Sequence, residues 1–248
     1  MILILVLIPG ISFGQGDDMD FISEIKHYNI SELWTLKILE IRNDTFVIER
    51  PEPLGYIGPN YQRFYIHFTS VIQNPNKRLE YFVYGKSKVK TNICCFQGII
   101  TIMEAKTYDD PDFPGKKQGI VKGNYEFFED PEQKSTGIFK GNFQTNFYIN
   151  NKGEIKYNDL MSDDSFHNNQ FEGTWTGYKS IEPKKCSWGD FRIPDGEKLD
   201  CGVSEFSPRD EYLKYDWGRY KIAYGGYPDK TKMNEARKGE KEAWWKDK

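Results

Sequence analysis

Histidine is scarce in this chain, with only His27, His67 and His167, and none sits at a spacing that would pair it with a local base or metal ligand. The motifs that would mark a serine hydrolase elbow, a zinc hydrolase helix, a phosphate-binding loop or a dinucleotide fold are missing. There is no Cys-x-x-Cys pair, which argues against zinc. No apolar run beyond the first residues is long enough to span a bilayer as a helix. Charge of one sign is also lacking. Thirty-four Lys and Arg stand against 37 Asp and Glu, a net charge of −3, so no basic field exists to hold nucleic acid. These absences argue against an enzyme of a common class, a resident cofactor or metal, and a nucleic-acid partner.

What the chain has is aromatic residues: 17 Phe, 16 Tyr and 6 Trp, or 16% of 248 residues. Aromatic and β-branched side chains suit half-buried pleated surfaces, and the pattern predicts strands at 33–41, 45–49, 63–72, 78–84, 92–105, 120–128, 136–149, 154–157 and 170–180. The alternation is clearest where Phe139, Gly141, Phe143, Thr145, Phe147 and Ile149 share one face while Lys140, Asn142, Gln144 and Asn146 share the other. The expected fold is all-β: an antiparallel meander closing into a barrel or a strongly curved sandwich, with a loop-rich C-terminal cap.

The organisation along the chain follows. Residues 1–14 open with an uncharged apolar run broken by Pro9, and Ser12 and Gly14 provide the small residues of a signal-peptide cleavage site. The mature chain is expected to begin at Gln15 and to be secreted or periplasmic. Residues 15–32 form an irregular lead-in, 33–180 the β domain, 181–227 the cap, and 228–248 a charged tail whose sizeable apolar element is Trp244-Trp245. Export would permit a disulfide between Cys186 and Cys201, stapling the loop between them, whereas the adjacent Cys94 and Cys95 would face opposite ways on a strand. The sequons at Asn29 and Asn43 matter only in a host that glycosylates exported proteins.

The units Gly123-Asn-Tyr125, Gly141-Asn-Phe143 and Gly173-Thr-Trp175 place glycine where a large neighbour can lie over bare backbone. The stretch Phe171-Glu-Gly173-Thr174-Trp175 resembles the Gly-x-Trp signature of the lipocalin and avidin-type calycin barrels. That resemblance implies a small antiparallel barrel around a ligand cavity.

Candidate binding residues are Phe143, Phe147 and Trp175 on the expected inner face, with Trp188 and Arg192 from the dense segment Trp188-Gly-Asp190-Phe-Arg192. A Trp beside an Arg and an Asp can stack on a sugar or hold an anion, or can pack the cap onto the barrel. The leading expectation is a non-enzymatic binding protein enclosing a small apolar or amphipathic molecule. A glycan- or surface-binding module is the alternative, using Tyr65, Tyr148 and Tyr178 as an outer aromatic row, and a hydrolase without a motif ranks behind both. The acids at Asp109, Asp110 and Asp112, and at Asp159, Asp163 and Asp164, read as solvated turns and not as an EF-hand loop.

Overall fold

The computed structural model describes residues 18–41, 46–108, 116–159, 165–180 and 182–246. The apolar N-terminal run, the Asn43 sequon and the acids Asp109, Asp110, Asp112, Asp163 and Asp164 lie outside them. Twelve strands are assigned in the described residues: β1 (Met19–Asp20), β2 (Ile38–Ile41), β3 (Phe46–Glu49), β4 (Leu54–Ile57), β5 (Gln62–Gln73), β6 (Glu80–Val89), β7 (Asn92–Thr107), β8 (Lys117–Glu129), β9 (Gly137–Ile149), β10 (Ile155–Tyr157), β11 (Asn168–Gly177) and β12 (Lys184–Asp190). Strands make up 47% of the structure and helix 15%.

Eight of these strands close on themselves. β4 pairs with β5, the meander runs β5 to β9, β9 pairs with β11, β11 with β12, and β12 returns to β4, every pairing antiparallel. The expected barrel is therefore present, but its closing strands differ from the expectation. Both β4, which carries a glycine and follows a proline-rich stretch, and β12, beyond the expected boundary at Ser180, are short segments that become strands through their neighbours.

The period-2 pattern places Phe139, Phe143 and Phe147 of β9, Phe171 of β11, Trp188 of β12 and Phe64, Phe96, Tyr125 and Phe127 in one interior cluster. An eight-stranded barrel is about wide enough for side chains to fill, and here rings fill it. Phe171 stacks on Trp188 with centroids 5.0 Å apart and on Phe143 at 5.5 Å. Inward-facing glycines make the room. A Cβ on Gly119 would lie 2.6 Å from the Phe147 ring and 2.3 Å from the Lys106 carbonyl, and one on Gly123 would lie 2.9 Å from Phe143.

The N-terminal segment plugs one end. Residues 33–35, expected as strand, instead form the last part of a helical turn: α1 (Ile22–Ile25) and α2 (Glu32–Thr35) bury Ile25, Leu33 and Trp34 in the main core. The Asn29 side chain accepts the Ser31 backbone N–H at 3.1 Å, a local turn that diverts the chain from extension. Trp34 meets Phe143 and Tyr81 edge-on and donates its indole N–H to Thr145 Oγ1 at 3.1 Å.

The cap packs on the outside of the barrel. Leu54, Tyr56, Ile193, Leu199, Phe206 and Trp217 form a second core between β4 and the C-terminal segment, which comprises a 3₁₀ turn (Asp210–Tyr215), α3 (Gly218–Tyr224) and α4 (Lys230–Glu240). Asp229 caps α4 by accepting the N–H groups of Thr231 and Lys232. The charged tail thus carries a docked helix, followed by a turn that bears Trp244 and Trp245. Among the described residues no helix is long and apolar enough to cross a membrane.

Candidate functional site

Residues 49–53, Glu-Arg-Pro-Glu-Pro, join β3 to β4 as a strap in front of β5. Two prolines restrict its backbone, and Arg50 nails it down. The Arg50 guanidinium is buried and donates to the carbonyls of Trp34 and Leu36 at 3.1 and 3.2 Å and to Asp190 at 3.1 Å. Asp190, fully buried at the end of β12, also accepts from the Tyr157 hydroxyl at 2.8 Å and the Asn169 amide at 2.9 Å. Asn169 in turn accepts from Thr145, the residue that receives Trp34. One polar chain therefore links strap, plug and four strands, β9, β10, β11 and β12. Burial pushes the Tyr157 phenol well up, and the Asp190 carboxylate beside it adds to the effect.

Two pockets flank this strap, sharing residues 49–53, Lys241 and Trp245. The larger, about 870 Å³, has an aromatic and aliphatic floor of Trp34, Ile66, Phe68, Phe171 and Trp188, which is the mouth of the packed barrel interior. Its rim carries Lys37, Lys86, Lys241 and Lys246, with His67 and Glu52. His67 Nδ1 lies 2.9 Å from Glu52, and its ring stacks on Trp245 at 4.0 Å and 10°. His67 does point outward as the alternation requires, but the strap and the C-terminal indole cover it.

The smaller pocket, about 540 Å³, lies between the strap, the outer face of β5 and the helical tail. Its base is Arg63, whose two terminal nitrogens grip the Glu240 carboxylate, Nη1 to Oε1 at 3.1 Å, while the guanidinium lies over the rings of Tyr65, Trp217 and Tyr220 at 4.5, 4.9 and 5.2 Å. Burial alone would raise the Glu240 carboxyl, but Arg63 and Arg219 outweigh it and hold it below the usual range. Burial pushes the Tyr65 phenol up to about 12 despite the nearby Arg63.

The candidate residues separate accordingly. Phe143 and Phe147 are buried among other rings and line neither pocket, and Trp175 lies on β11 bonded to Glu129. Trp188 forms part of the larger pocket's floor, and Arg192 lines the smaller pocket while pairing with Asp200 at 2.6 Å. Of the outer tyrosines, Tyr65 and Tyr148 are buried and Tyr178 is exposed, so they do not form a row. Arg50, Tyr157, Asn169 and Glu52 escaped sequence reading because each acquires its meaning from a partner distant in the chain.

The disulfide between Cys186 and Cys201 is not formed: all four cysteines are free, Cys186 fully buried and Cys201 exposed. The strand β12 explains this. Its alternation turns Cys186 inward with Trp188, while Cys201 stands in the external cap, so their short separation in sequence does not bring the sulfurs together. Burial, reinforced by Glu129, pushes the Cys94 thiol up to about 11 and the Cys186 thiol well above its ordinary value, which makes both poor nucleophiles.

Glu129 is the buried acid of β8, accepting hydrogen bonds from Ser87, from the Trp175 indole at 2.8 Å and from the Gly137 N–H at 2.9 Å. It ties β6, β8, β9 and β11 together. Burial raises its carboxyl above the usual range, against the opposing effect of these three donors. No group of three or more His, Cys, Asp or Glu side chains that could hold a metal ion occurs among the described residues.

Chemically, the paired pockets offer an apolar floor, a cationic rim and a wall of stacked rings. Comparison with protein-family models, with curated proteins and with solved structures found no match.

Proposed function

We propose that the chain is an exported, non-enzymatic binding protein that takes a small amphipathic molecule into the pockets beside β5, at the mouth of the barrel instead of in its centre. The observation that carries this reading is the larger pocket: about 870 Å³, with a floor of Trp34, Phe68, Phe171 and Trp188 and a polar rim. Its volume lies within the range of about 300–1,000 Å³ typical of small-molecule sites, and an apolar base with a few polar groups at the edge is their usual chemistry. The N-terminal apolar run ending at Ser12-Phe13-Gly14 supports export.

The test is titration of the purified full chain with Nile red, a neutral dye that brightens in apolar surroundings. One saturable site is expected, with quenching of indole emission, and Trp245→Ala should weaken binding at least several-fold. Absence of saturable binding, or unchanged affinity in that variant, would overturn the proposal. Export is checked separately by mass spectrometry of the secreted protein, which should begin at Gln15.

A further inference from the structure

We infer that the molecule held beside β5 is an anion: an apolar body with an acidic oxygen head, the body on the aromatic floor and the head at the cationic rim. This rests on the binding reading above and adds the ligand's charge. Two independent observations carry it.

The first is charge. The chain as a whole is net negative at −3, yet the larger pocket gathers Lys37, Lys86, Lys241, Lys246 and Arg50 against Glu49 and Glu52. Arg50 is neutralised by Asp190, and Glu52 faces His67. Lys37, Lys241 and Lys246 form no ion pair among the described residues. A local excess of positive charge beside a low-dielectric aromatic wall attracts an anion more strongly than the same lysines would on open surface.

The second is hydrogen bonding. Among the described residues, the buried polar side-chain atoms without a partner include Arg50 Nε and Trp244 Nε1. Both are N–H donors: Arg50 lines the larger pocket that holds the floor and the lysine rim, and Trp244 lines the smaller pocket on the other side of the same strap. Buried donors are nearly always matched by acceptors in native proteins. A ligand bearing carboxylate, sulfate or phosphate oxygens brings acceptors and no competing donors, whereas an amine brings the reverse.

The experiment compares three probes with the same twelve-carbon tail on the full chain, below their micelle concentrations: dodecanoate, dodecanol and dodecyltrimethylammonium, read by calorimetry and indole fluorescence. Dodecanoate should bind at least tenfold more tightly than dodecanol, and the cation most weakly. The advantage of dodecanoate over dodecanol should shrink in high salt and in the triple variant of exposed residues Lys37→Gln, Lys241→Gln, Lys246→Gln. Equal binding of dodecanoate and dodecanol would overturn the anion inference and leave the binding reading standing. Preference for the cation would do the same. Binding of none of the three would overturn both.

Discussion

Asp190→Ala tests whether the polar chain through strap, plug and barrel holds the mouth of the barrel in shape. The carboxylate is fully buried and receives three donors, from Arg50, Tyr157 and Asn169. Removing it strands a guanidinium that is 8% exposed and whose Nε already has no acceptor. Losing one partner of a buried pair costs about 3–5 kcal/mol, mostly as the desolvation of the charge left behind. Two further orphaned donors put the expectation near the top of that range. Since whole domains are stable by about 5–15 kcal/mol, urea unfolding followed by tryptophan emission should show a large fall in midpoint at constant slope. The second arm distinguishes charge from packing. In Asp190→Ala combined with Arg50→Met the stranded charge is gone, and about 1–3 kcal/mol should return. A loss below about 1 kcal/mol in the single variant, or no recovery in the double variant, would refute the reasoning.

Three other expectations follow from the same geometry. Phe143 is 3% exposed and touches Phe171 and Trp34, so Phe143→Ala should cost about 3–5 kcal/mol in denaturant unfolding, while leaving Nile red affinity close to that of the parent. Glu129 has a folded-state carboxyl raised above its unfolded value, so its favourable contribution is present at low pH and lost as pH rises through the raised value; unfolding midpoints measured between about pH 4 and pH 8 should show the parent losing ground to Glu129→Gln. Glu240 has the opposite sign: Arg63 and Arg219 depress its carboxyl, so the clamp is whole above the ordinary carboxylate value and weakens as pH falls through the lowered one. Arg63→Met should mimic acid by freeing α4, seen as faster proteolysis after residue 228 with the β-sheet circular dichroism unchanged.

Legibility in the sequence tracked the range of the interaction. Phe139, Phe143 and Phe147 were assigned correctly to one buried face because side-chain alternation is set by the backbone of a single strand. β4 and β12 were missed because four- and seven-residue segments rich in Gly, Lys and Cys carry little pattern of their own. Leu33 and Trp34 have strand-like composition, but the turn at Asn29 and burial at the barrel end make them helical, a case of tertiary context overriding propensity. Spacing in sequence suggested pairing for Cys186 and Cys201, yet which face a strand presents decides where a sulfur goes. The Arg50 and Asp190 pair spans 140 positions, and nothing local to either residue announces it.

The same physics explains why the candidate site lies at the mouth and not in the middle. An eight-stranded barrel leaves an interior that ordinary side chains can fill, and here rings of Phe size sit over positions that are glycine. Phe147 over Gly119 and Phe143 over Gly123 are such pairs: at both glycines an added Cβ would clash with a backbone carbonyl as well as the ring, while shrinking the ring would leave a cavity. The space these glycines leave is taken by rings. Where the strands end, this packing ends too. Phe171 and Trp188 there have ring neighbours on the interior side, but their other side meets a strap pinned by the buried Arg50–Asp190 pair and a tail clamped by Arg63 on Glu240 and stacked on His67. An apolar floor facing segments anchored by polar contacts, the strap by Arg50 on Asp190 and on the Trp34 and Leu36 carbonyls and the tail by Glu240 on Arg63, is an arrangement in which a pocket can persist without collapsing. The closed eight-stranded barrel is the expected architecture, while the candidate pockets are lined by the parts added around it.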